Sequence, residues 1–212
     1  MGAFLQNIRS VAWTALAVGL AFLLFAAVSW ADQPPPSSLF YQALLRWAHV
    51  LTGIMWIGHL YYFNFTQIPN VPKIPEEHRG PAISKVIAPA ALFWFRWGAM
   101  FTLITGLLLA WNLGYLGQAL TFGALDTPAF AVPKHIFIGI GMWLAIIMWF
   151  NVWFIIWPNQ QKALGIGEAN AALDKDVKAK AARTAMLFSR TNTFLSVPML
   201  VAMTAATTLF GG

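Results

Sequence analysis

The chain has 212 residues and a formal net charge of +6, with 59% hydrophobic residues and only 9% charged ones. A soluble globular domain carries about 25% charged residues, so this composition, with its mean hydropathy of +0.65, reads as an integral membrane protein and excludes an ordinary soluble enzyme. There is no cysteine, which excludes disulfides, thiolate metal sites, iron–sulfur clusters and covalent c-type haem on this chain.

Five segments reach the roughly 20 apolar residues that a bilayer requires: about 11–31, 41–65, 88–112, 135–157 and 185–209. The expected fold is therefore all-α, with five transmembrane helices. The first segment follows Arg9 and ends at Ser29-Trp30-Ala31, a small-residue pattern like a signal-peptide cleavage site. Its apolar run is longer than the roughly 7–15 residues of a signal core, so it is expected to stay as an anchor helix. The stiff link DQPPPSS, residues 32–38, divides an anchor (residues 1–38) from a four-helix bundle (residues 39–212).

Three links join the later segments. The link QIPNVPKIPEEHRGP, residues 67–81, is rich in proline and cannot be helical throughout. Residues 114–134, GYLGQALTFGALDTPAFAVPK, are unusually apolar for a loop and are expected to lie in the membrane interface or against another protein. Residues 167–183 are alanine-rich with interleaved charge and read as a surface helix.

Orientation follows from the Lys/Arg bias. With the N-terminus in the cytoplasm, Arg9, Lys73, Arg79, Lys85, Lys162, Lys175, Lys178, Lys180 and Arg183 all fall inside. Only Arg46 and Lys134 fall outside, and Arg96 lies within a span. The expected orientation is N-terminus in and C-terminus out. This asymmetry accounts for the positive charge without nucleic acid as a partner. Trp30, Trp47, Trp111 and Trp157 stand near span ends, where an aromatic belt belongs.

The second and fourth segments run in the same direction and are expected to sit diagonally across an up-and-down bundle. Each carries a histidine followed one turn inward by glycine, as His49-Val-Leu-Thr-Gly53 and His135-Ile-Phe-Ile-Gly139. Residues four apart share a helix face, so each imidazole is expected above a patch without side chains. Two imidazoles from facing helices suit the axial positions of a haem b, and the glycines let the macrocycle approach the backbone. Arg46 and Lys134, beside these histidines, are placed to meet outward-pointing propionates. The competing reading makes either histidine an ordinary polar residue of the interface.

His59 lies ten residues beyond His49, about 15 Å further along the axis and turned by about 80°. It cannot share a metal with His49, and it either lines a cavity with Asn64 or hydrogen-bonds a neighbouring helix. His78 falls in a loop. Arg96, Asn64, Asn151, Arg190 and Asn192 form an inward-lying polar set. They serve either as a pocket for a planar, hydrogen-bonding substrate or a quinone, or as interhelical hydrogen bonds.

The stretches HVLTGIMWIGHLYYFNF, VIAPAALFWFRWGAM, MWFNVWFIIWPNQQKALG and SRTNTFLSVPML, in this order over residues 40–205, resemble the N-terminal membrane domain of bacterial membrane-bound urate oxidase (urate hydroxylase). The resemblance implies a bacterial inner-membrane helical domain that passes electrons to a cytochrome c domain on the outer face. With no cysteine here, that outlet is expected to be a separate c-type cytochrome. His59 stands where the family pattern has an apolar residue. Three functions follow as expectations: a haem-b electron-transfer subunit working with other membrane-complex subunits, a urate-type heterocycle oxidase with a separate cytochrome as acceptor, and a haem-free structural or assembly subunit.

Overall fold

The computed structural model describes residues 2–29 and 37–210. Trp30 and most of the proline-rich link at 32–38 lie outside the described residues. Every regular element among the described residues is helical: α1 (Gly2–Gln6), α2 (Ile8–Ser29), α3 (Ser37–Tyr61), α4 (Ile68–Asn70), α5 (Glu76–His78), α6 (Ala88–Asn112), α7 (Leu116–Leu120), α8 (Pro133–Phe150), α9 (Trp157–Leu164), α10 (Glu168–Ala171) and α11 (Lys175–Thr208). Three helical stretches are long and apolar enough to cross a membrane: Ile8–Val28, Glu76–Asn112 and Pro133–Leu164.

Long helices persist here in spite of proline. α3 continues into α4, α5 into α6 and α8 into α9 through wide, π-helical turns at Tyr62–Gln67, Arg79–Ile87 and Asn151–Ile156. Each wide stretch stops two residues short of a proline, at Pro69, Pro89 and Pro158. A proline ring collides with the carbonyl four residues back and offers it no N–H. That carbonyl belongs to Phe65, Lys85 or Phe154, inside the wide stretch in every case. The extra residue per turn relieves the collision while the helix runs on.

α3 packs along α6 and α8 along α11, and contacts of α6 with α8 and of α3 with α11 close the ring. α3 and α8 therefore stand diagonally, as chain order implied. The ring is filled by Trp56, Leu60, Leu92, Phe95, Met148, Val152 and Ile156, none more than 1% exposed. Gly98 sets the α3–α6 spacing, because a Cβ there would lie 3.0 Å from the backbone nitrogen of Trp56. α2 stays outside the ring and meets α3 where Gly19 faces the Trp47 indole.

Two links differ from their sequence reading. Residues 167–183 do not form a separate surface helix: α10 is one turn long, and Lys175 to Arg183 are the opening turns of α11. Alanine-rich sequence with no breaker simply propagates into the apolar run that follows. The link at 114–134 folds back on its own bundle. α7 packs on α8, the Trp143 indole donates to the Leu120 carbonyl at 3.0 Å, and Gly123 adopts a φ of +89° at the centre of the turn. Phe122, Leu125 and Phe130 remain exposed on it. The proline-rich link at 67–81 breaks at Ile74 and Pro75, whose backbones are extended, in line with its composition.

Candidate functional site

At the α7 end of the ring, α3, α6, α8 and α11 line a half-open cavity of about 250 Å³. Most of its wall is apolar. The polar side chains on it include Arg46, His49, Tyr115 and Thr204, and two thioethers, Met142 and Met203, complete it.

His49 enters the cavity wall from α3, one turn inward of Arg46. Its Nδ1 lies 2.9 Å from the Thr102 carbonyl of α6. A carbonyl only accepts, so Nδ1 carries the hydrogen and donates it, and Nε2 keeps the lone pair. This is the arrangement by which a histidine is oriented for a metal: one ring nitrogen is anchored and the other is free to ligate. The ring can come so close to α6 because residue 106 is glycine. A Cβ there would stand 2.8 Å from His49 Cε1 and 3.1 Å from Nδ1.

His135 is held differently. Its Nδ1 lies 2.7 Å from Asp126 Oδ1, in a pair whose side chains are 16% and 3% exposed. The Asp126 carboxylate comes from the folded link and packs over Gly123, where a Cβ would meet Oδ2 at 2.8 Å. Tyr115 stacks beside His135, with ring centroids 5.8 Å apart, and Lys134 Nζ lies 6.0 Å over the same Tyr115 ring. Burial pushes the Tyr115 phenol up, against a smaller downward pull from Arg46, so it stays a neutral hydroxyl at physiological pH.

The sequence-derived site residues thus divide. Arg46 and His49 line the cavity, whereas Lys134, His135, Gly53 and Gly139 are not among its lining residues. Tyr115, whose ring lies beside His135, does line it. The two glycines do not form matching open patches either. A Cβ on Gly139 would run into the Ala119 carbonyl, so this glycine seats α7 on α8. A Cβ on Gly53 would meet only Thr102 Cγ2, at an ordinary 3.8 Å.

The remaining polar residues mostly tie helices together. His59 Nδ1 donates to the Met55 carbonyl of its own helix, not to a neighbouring one. Asn151 Nδ2 donates to Asn192 Oδ1 at 2.8 Å, and Asn192 Nδ2 donates to the Met148 carbonyl at 2.9 Å. Asn64 Nδ2 donates to Ser189 Oγ, and Tyr61 shares a hydrogen bond with Ser196. Arg96 stacks its guanidinium 3.2 Å over the Trp157 ring. These bonds favour the interhelical role over a substrate pocket for the inward-lying set.

Sequence reasoning missed Thr102, Gly106, Tyr115, Asp126, Met142 and Met203. Asp126 left a trace, as the one acidic residue in the 114–134 link and nine residues before His135. Gly106 left none, because nothing in α6 alone says that an imidazole will lie on it.

Residues 123–208 match the family model described as urate oxidase N-terminal. The matched stretch holds Asp126, His135, Met142 and Met203 but not Arg46, His49 or Gly106. No curated protein and no solved structure matches the chain.

For a haem b, the residues at hand fit in part. His49, with an anchored Nδ1, an apolar cavity beside it and Arg46 one turn away, suits an iron ligand with a propionate contact. His135 is not among the lining residues of that cavity, and its Nδ1 donates to Asp126, which leaves its Nε2 free as well.

Proposed function

We propose that this protein is a membrane-embedded b-type haem electron-transfer subunit of a larger bacterial membrane complex. The observation that carries the reading is the His49–Thr102 hydrogen bond, which leaves the Nε2 lone pair available on a histidine that lines a largely apolar cavity. When bound, the haem supplies a one-electron couple. The chain's own residues do the rest. His49 holds the iron through Nε2, and Thr102 fixes its tautomer and ring plane. Gly106 admits the ring, and Arg46 offsets propionate charge toward the α7 end.

In this reading α2, α3, α6, α8 and α11 all cross an inner membrane, with the N-terminus cytoplasmic and the α7 end on the outer face. A c-type cytochrome on that face is the electron partner. The match to the urate oxidase N-terminal family favours a second reading, a urate-type heterocycle oxidase that hands its electrons to a separate cytochrome.

The test is a reduced-minus-oxidised absorption spectrum of the purified protein and of His49→Ala. A b-type spectrum present in the first and lost from the second is expected. Reduction of that haem by added urate would select the oxidase reading. A colourless, folded wild type that takes up no added haem would refute the redox role and leave a structural subunit.

A further inference from the structure

His135 is not among the cavity's lining residues, which offer other groups to an iron held by His49. Its lining contains two thioethers, Met142 and Met203, and thioether sulfur is an established partner for histidine on haem iron. The two are not equivalent. Met142 is 8% exposed and packs among Ile138, Ala119 and Ala206. Met203 is half-buried. Its thioether lies across Gly141 of α8, where a Cβ would stand 2.9 Å from Cγ and 3.1 Å from Sδ.

The seating repeats that of His49. A ligand-type side chain on α3 rests on a glycine of α6, and a ligand-type side chain on α11 rests on a glycine of α8. His135 stacks on Tyr115 at the α7 end of the cavity, whereas Gly141 is six residues further along α8, about 9 Å inward. His49 likewise lies a turn inward of Arg46.

We infer that Met203 is the second axial ligand, giving a His49/Met203 haem with His135 outside the coordination sphere. The inference rests on the haem reading. His135, paired with Asp126, then serves to fix the α7 link over the cavity.

The experiment uses the purified full chain loaded with haem and three variants: Met203→Leu, Met142→Leu and His135→Ala. Absorption and electron paramagnetic resonance report the spin state, carbon monoxide uptake reports an open iron position, and redox titration gives the midpoint potential. Leucine for methionine nearly conserves volume, so the fold is expected to survive, and size-exclusion elution checks it.

Wild type, Met142→Leu and His135→Ala are expected to be low-spin and closed to carbon monoxide. Met203→Leu is expected to be high-spin, to bind carbon monoxide and to have a lower midpoint potential. A haem that stays low-spin in Met203→Leu and becomes high-spin in His135→Ala overturns the inference but keeps the haem reading. Loss of the low-spin state in Met142→Leu alone overturns the choice of Met203. A wild type that binds no haem overturns both.

Discussion

Replacing Gly106 with alanine tests the seat of His49 without any reference to a cofactor. The new Cβ would stand 2.8 Å from His49 Cε1, about 0.7 Å inside the closest comfortable carbon–carbon separation. Thr102 and Gly106 lie on the same helix, so a ring pushed away from one leaves the other. The 2.9 Å hydrogen bond then stretches to roughly 3.6 Å, beyond bonding range. Overpacking of this kind costs about 1–3 kcal/mol, and the lost hydrogen bond adds about 0.5–1.5 kcal/mol. Alanine returns up to ~1 kcal/mol of helix propensity over glycine. In a His49→Ala background both losses vanish and only the gain remains. The Thr102 carbonyl is not orphaned there, because it still receives its intrahelical N–H in α6. Equilibrium unfolding in mixed micelles, followed by circular dichroism on the four members of the cycle, should give a coupling of roughly 1.5–4.5 kcal/mol, the sum of the two losses. Additivity within ~0.5 kcal/mol would refute the contact.

Two further outcomes can be checked by thermal unfolding and limited proteolysis. Gly98→Ala should destabilise strongly, because its Cβ meets α3 backbone that cannot rotate aside, whereas Gly53→Ala should be nearly neutral, with only an ordinary contact to Thr102; equal effects would contradict the α3–α6 packing. Asp126→Ala strands the buried His135 N–H and should cost about 1–3 kcal/mol, with faster cleavage in the 114–134 link. Asp126→Asn keeps an accepting oxygen for Nδ1 and should be much milder, so an asparagine variant as damaged as the alanine one would show that the 2.7 Å bond does not hold the link.

What was legible in the sequence was whatever depends on local composition and period. An apolar run long enough for a bilayer is helical because no water is present to satisfy its backbone. Three of the expected runs lie in helices long and apolar enough to cross a membrane, Ile8–Val28, Glu76–Asn112 and Pro133–Leu164, and the second and fifth runs are helical as well, in α3 and α11; the diagonal relation of α3 and α8 followed from chain order and short links. The family resemblance was legible too, in the specific stretches that fall between residues 123 and 208. His49 was legible as a candidate because an ionisable group in an apolar run demands a reason.

The partners of the histidines were not legible, because helical periodicity says which residues share a face and not what lies opposite. His49-Val-Leu-Thr-Gly53 and His135-Ile-Phe-Ile-Gly139 read alike along the chain. Tertiary structure separates them: one glycine is nearly free of neighbours, and the other is pressed by the Ala119 carbonyl of a link that hydropathy alone left loose. The glycine that seats His49 lies on another helix altogether, 57 residues away at Gly106. The sequence by itself determined that a helical membrane bundle would carry a histidine among apolar neighbours. Only the packed bundle decided which nitrogen of that histidine is free and which groups share its cavity, because those depend on contacts between helices that no local pattern encodes.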